Sequence, residues 1–189
     1  MKCHTFYLKS LYTGIITALV ASSSLMAQDF KKYNGSFQIG YAKAMGNLSD
    51  GTNSGFNLAL AVERSWSVGF ATRGRLDWVS FNEKDDDSDS KTGATILMAS
   101  LDLLGRTPKG AYFFVAPGFA SVSLKTPAFT AQQSGSKTSP AVSGGLGWMS
   151  RDSRLTAGFE VKYTKLLGFK PGDKDFNCDW TAISLLMRW

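Results

Sequence analysis

The chain has 189 residues with a formal charge of +6 and one histidine, and 13% of its residues are aromatic. This length suits one domain. The basic residues are scattered rather than clustered, which argues against a nucleic-acid partner.

The first 27 residues read as a secretory signal peptide: Lys2 and Lys9 are basic, Leu11 to Val20 is mostly apolar, and Ala21 to Ala27 is rich in small residues. The apolar part is too short for a spanning helix, which needs about 20 residues. Cleavage after Ala27 would leave residues 28–189 as one domain. Two lysines leave with the leader, so the charge falls from +6 to +4. Cys178 is then the only cysteine, which excludes an intramolecular disulfide. His4 also leaves, and with it the commonest general base.

Eight alternating strands follow. The first, about Gly35 to Ala44, sets Phe37, Ile39 and Tyr41 against Ser36, Gln38 and Gly40. Gly46 to Ser54 is a turn-rich loop. The second strand sets Phe56, Leu58, Leu60 and Val62 against Asn57, Ala59, Ala61 and Glu63, and Arg64 to Ser67 reverses the chain. The third sets Val68, Phe70, Leu76 and Trp78 against Arg73, Arg75 and Asp77, and the polar loop Asn82 to Lys91 follows. In the fourth, Leu97, Ala99, Leu101 and Leu103 oppose Ser100 and Asp102, and Arg106 to Gly110 is a short turn.

The fifth strand, Ala111 to Leu124, has no assignable faces, and Pro117 is expected to mark a bulge. Thr126 to Ser139 is a long polar loop. The sixth strand sets Val142, Leu146 and Trp148 against Ser143, Gly145 and Gly147; Arg151 to Arg154 turns into the seventh. There Leu155, Ala157, Phe159, Val161 and Tyr163 oppose Thr156, Gly158, Glu160 and Lys162. Gly168 to Asn177 is the last long loop. Long and short connections therefore alternate, the rhythm of an up-and-down membrane barrel with both strand ends of the sheet on the short-turn side.

The closing strand carries Thr181, Ile183, Leu185, Met187 and Trp189 on one side and Ala182, Ser184 and Arg188 on the other. The run Ile183-x-Leu185-x-Met187-x-Trp189 resembles the C-terminal signal of bacterial outer-membrane β-barrels, and Gly35 to Trp189 resembles the eight-stranded OmpA-like and opacity-like domains. The fold class expected is all-β, an eight-stranded antiparallel up-and-down transmembrane barrel. The resemblance implies the bacterial outer membrane, contact with lipids including lipopolysaccharide, recognition by the barrel assembly machinery, and a structural or surface-interaction role such as adhesion or envelope integrity through the long loops. The chain ending at Trp189 leaves no added peptidoglycan-binding domain expected.

Alternation alone does not say which face is outside, and a soluble periplasmic lipocalin-like barrel would point its apolar face inward. The bulk of that face, with Trp66, Trp78, Trp148, Tyr163 and Trp189 near strand ends, favours lipid. An eight-stranded lumen holds side chains or one small ligand. The other face is read as small, with Gly, Ala, Ser and eight charges: Glu63, Arg73, Arg75, Asp77, Asp102, Glu160, Lys162 and Arg188. Buried together they would neutralise one another as an ion-pair plug, with Arg188 a partner for Glu63 or Glu160. A narrow ion or solute channel or proton path is the alternative.

No enzyme, cofactor or metal site is expected. Related outer-membrane phospholipases, deacylases, palmitoyltransferases and proteases use a histidine absent after residue 27. Ser134 to Lys137 matches only a short Ser-x-x-Lys string. Asp85, Asp86, Asp87 and Asp89 fail the calcium-loop pattern, because Ser90 and Ile96 stand at the glycine and glutamate positions. Lys125, Lys137, Lys165, Lys170 and Lys174 could meet anionic headgroups or simply be solvated. Gly144 to Gly147 lies in a strand and suits close packing rather than nucleotide binding.

Overall fold

A strand with one apolar and one polar side needs a partner for each side and for its edges, and a sheet closed on itself meets all three needs. The computed structural model describes residues 33–67, 69–84, 92–124, 135–150, 156–170 and 176–189. The leader, Val68, the aspartates at 85–89, Lys125, Ser134, the 151–155 turn and Lys174 lie outside them. Eight antiparallel strands form a closed barrel in chain order: β1 Tyr33–Gly46, β2 Thr52–Ser65, β3 Phe70–Glu83, β4 Thr92–Arg106, β5 Ala111–Leu124, β6 Gly135–Met149, β7 Thr156–Leu166 and β8 Cys178–Arg188. β8 pairs with β1 from Ser36↔Arg188 to Gly46↔Cys178, and Gly35 and Trp189 exchange backbone hydrogen bonds of 3.1 and 3.0 Å. Closure thereby pairs both edges of the sheet with each other. Strands of 14 and 15 residues, as in β3 and β4, exceed the 9 to 11 or so needed to cross hydrocarbon at a tilt, so they extend past it.

The two sides are sharply separated. Leu60, Leu146 and Leu185 are 60%, 66% and 68% exposed, whereas the inward Ala59 and Ser184 are 2% and 4% exposed. Outward apolar residues run round the whole barrel: Tyr41, Leu60, Leu76, Leu101, Phe119, Leu146, Phe159 and Leu185 represent the eight strands. A soluble monomer rarely exposes an apolar patch above a few hundred Å². With each such side chain gaining roughly 1.5–3 kcal/mol from leaving water, this belt is a lipid-facing surface. Trp66, Trp148 and Trp189 lie at its short-turn rim, where an amphipathic indole meets both water and hydrocarbon.

Several local expectations are corrected. The Gly46–Ser54 loop is shorter, because β1 and β2 extend into it and Leu48–Gly51 forms one helical turn, α1, over the barrel end. The polar stretch to Ser139 is partly strand, since Leu124↔Gly135 through Ala120↔Ser139 pair β5 with β6. Pro117 makes no bulge: pairing with β4 is interrupted between Gly118 and Val115, yet the register is the same on either side. Proline lacks the N–H for the ladder, but its fixed φ is compatible with an extended strand.

The inward face is not uniformly small. Phe81, Ile96, Met98, Val122, Leu166 and Trp180 fill the loop-side half, capped by Leu48, Phe169 and Phe176 from the connections. A second apolar group, including Leu104, Tyr112, Phe114 and Leu186, lies toward the short turns.

Candidate functional site

Between the two apolar tiers, three strands bring charge together. Arg73, Arg75 and Asp77 alternate inward on β3, Asp102 faces them from β4, and Glu160 and Lys162 come from β7. Arg73 and Asp102 are cross-strand neighbours, with Nε to Oδ2 at 2.6 Å. Glu160 spans the lumen: Arg73 reaches its Oε2 at 2.7 Å and Arg75 its Oε1 at 2.5 Å. Lys162 donates to Asp77 Oδ1 at 2.5 Å, and Arg75 contacts Asp77 at 3.3 Å and Asp102 at 3.4 Å. Three cations and three anions are thus interlocked, each at most 3% exposed. Partial satisfaction would be expensive for charges so deeply removed from water.

β5 completes this cluster, with residues that alternation alone does not assign. The Tyr112 hydroxyl donates to Glu160 Oε2 at 2.8 Å. The Arg73 guanidinium lies 5.2 Å from the Phe114 ring centre, and that of Arg75 lies 4.9 Å from it, within cation–π range. Both rings need space on β6. Phe114 pairs with Gly145 and Tyr112 with Gly147, and a Cβ at Gly145 would stand 2.7 Å from the Phe114 ring. The glycines therefore let the aromatic side chains lie along the wall and present faces and a hydroxyl to the ions.

Glu63 and Arg188 form a separate group near the short-turn mouth. Arg188 Nη1 stands 3.3 Å from Glu63 Oε1, and not beside Glu160. Arg106, which the sequence places in a turn, ends β4 and forms a second ion pair with Glu63. Ile183, Leu185, Met187 and Trp189 face outward on and after β8. Lys165 and Lys170 are exposed at the loop end, and Lys137 donates to the Lys170 carbonyl. Among the described residues no group of three metal-ligating side chains is arranged to hold an ion.

No protein-family model and no curated protein sequence matches the chain. Solved structures do. Neisserial surface protein A (NspA) aligns with a TM-score of 0.55 at 13% identity, over 82% of this chain and 95% of that one. The outer membrane protein Ail of Yersinia pestis, in a phospholipid bilayer nanodisc, aligns with a TM-score of 0.51 at 18% identity, over 82% of this chain and 99% of that one. The chain has the fold of an outer-membrane β-barrel. Among the described residues, the apolar side chains of the loop-side tier and the ion-paired layer lie one above the other inside the barrel.

The Asp77–Lys162 pair allows the layer to be tested. Lys162→Met leaves Asp77 short of a partner and is expected to lower unfolding free energy in liposomes by ~3–5 kcal/mol. Lys162→Met with Asp77→Leu removes one charge of each sign and restores most of the loss, read from denaturant midpoints. A double variant as unstable as the sum of its single variants would contradict the pairing.

Proposed function

We propose that this protein is an integral outer-membrane barrel with a sealed lumen, whose role is structural or lies in surface interaction through its longer connections. The observation that carries the reading is the ion-paired layer within a barrel whose whole circumference is apolar. A solute would have to separate buried charge pairs and displace the loop-side apolar tier, both at a cost. The likeness in fold to a neisserial surface protein and to an outer membrane protein supports the same compartment and a non-enzymatic role. Adhesion and envelope integrity are the forms that this role takes, with lipopolysaccharide as the surrounding lipid.

The reading also takes residues 1–27 as a cleaved leader and Ile183, Leu185, Met187 and Trp189 as the signal read by the barrel assembly machinery. Their outward position supports this, since a recognition strand presents one apolar row. Trp189→Ala is expected to reduce the heat-modifiable folded fraction in envelopes far more than Arg188→Ala; equal losses would refute the signal. For the sealed lumen, the purified barrel in planar bilayers is expected to give no conductance steps above background. Steady steps that change with Arg73→Ala or Asp102→Ala would replace the sealed reading with that of a channel.

A further inference from the structure

The outward side of β2, β3 and β4 carries a groove of about 300 Å³ that the sealed-lumen reading does not use. Its walls are Leu58 and Leu60 of β2, Leu76 and Trp78 of β3 and Leu97 of β4, and the surface it exposes is wholly apolar. Ala59 and Asp77 also line it, although their side chains point inward and are 2% and 0% exposed. These two residues are cross-strand partners, and only their main chain is left to form the floor, so the groove is open down to the sheet. Toward the short turns the relief stays low: Ala99 pairs with Leu76, and a Cβ at Gly74 would meet nothing within 4 Å. At the other end the outward rows turn polar just beyond Trp78 and Leu97, at the paired Ser80 and Thr95, so the Trp78 indole stands at the loop-side edge of the apolar belt. Its ring lies edge-on to Phe56, with centres 5.0 Å apart and planes at 88°. Trp66 and Trp148 donate their indole N–H groups to Thr72 Oγ1 at 2.9 Å and to the Lys109 carbonyl at 3.1 Å, whereas that of Trp78 has no acceptor among the described residues. A donor facing hydrocarbon without an acceptor is costly, so the acceptor must come from the surrounding lipid.

We propose that this groove retains one acyl chain of an ester-linked lipid, with the chain against Leu60, Leu76 and Leu97 and its ester carbonyl accepting the Trp78 indole N–H. This site rests on the belt facing lipid and singles out one position on its circumference. The ester carbonyl is the first acceptor a lipid presents at the end of its hydrocarbon, so an apolar slot with an indole donor at its polar edge matches that chemistry. Gly74 lies roughly 13 Å from Trp78 along β3, at about 3.3 Å per residue, which gives the seated chain a track of that length. A chain in the groove is met by both walls and the floor, whereas a chain elsewhere on a convex belt meets one side only. The extra dispersion contacts hold it longer than its neighbours.

The test places the folded barrel in nanodiscs of diacyl phosphatidylcholine and of its dialkyl ether analogue, which lacks the carbonyls. The indole N–H proton resonance of Trp78, identified by its loss in Trp78→Phe, should move upfield in the ether lipid as the hydrogen bond is lost. Those of Trp66 and Trp148, bonded within the protein, should stay where they are. Non-denaturing mass spectrometry of the barrel moved from diacyl nanodiscs into detergent is expected to show one retained lipid. Trp78→Phe keeps a ring beside Phe56 and should lower the retained fraction severalfold, the scale of one hydrogen bond. Leu60→Trp fills the groove from an outward position and should do the same, while Leu146→Trp, across the barrel on β6, should leave retention unchanged. A Trp78 resonance that is the same in both lipids, or retention altered equally by Leu60→Trp and Leu146→Trp or by neither, would overturn the proposal. A barrel that enters neither nanodisc would overturn it at an earlier step, by contradicting the lipid-facing belt.

Discussion

Glu160 is the point on which the interior depends. Its carboxylate, carried by β7, is met by Arg73 and Arg75 from β3 and by Tyr112 from β5, so one side chain ties together walls that the backbone ladder connects only through intervening strands. A buried carboxylate without these donors would be strongly unfavourable, and the arginines would be equally so without it. Neutrality is therefore a local requirement, and three acids with three bases satisfy it within one layer. The cluster fills a space that backbone closure creates but cannot itself occupy.

Closure and filling solve different problems. The ladder from β1 round to β8 satisfies the backbone, which hydrocarbon requires of any segment crossing it. It leaves a cylinder whose inside must also be packed. Small residues and aromatics fill it jointly, since Gly145 and Gly147 give up volume on β6 that Phe114 and Tyr112 then use on β5. The outer belt is less constrained, since lipid chains adapt to it, although there too Phe113 lies over a glycine, Gly105 of β4. This difference explains why the outward face is a simple apolar row while the inward face mixes glycine, aromatic and charged residues.

That asymmetry also governs what the sequence makes legible. Period-two alternation reveals β2, β3, β7 and β8, and the connections expose the up-and-down order. In β5, by contrast, Phe113 and Phe114 are both aromatic, so hydropathy gives no parity. A glycine opposite the ring does not decide it either, since the inward Phe114 and Tyr112 face Gly145 and Gly147 of β6 while the outward Phe113 faces Gly105 of β4. Parity is therefore visible only once the strands are in register. The loop-side apolar tier escapes sequence reasoning for a related reason. Phe81, Ile96, Met98 and Trp180 occupy inward positions beside the small residues, whereas alternation assigns bulk to the lipid side. Arg106 is hidden by a strand end that runs farther than Pro108 and Gly110 suggest.

The central claim is that bulk outside meets lipid while bulk inside is sealed from both lipid and water. Two native tryptophans, at opposite parities, report on it without any added label: Trp78 faces outward on β3, and Trp180 is fully buried inside β8. Single-tryptophan proteins, with the other four replaced by Phe, can be folded into liposomes and quenched with acyl-brominated lipid and with acrylamide. Trp78 should be quenched by the brominated lipid and little by acrylamide, and Trp180 should resist both. Acrylamide reaching Trp180 would show a water-filled lumen, and brominated lipid reaching it in preference to Trp78 would show that the faces are reversed.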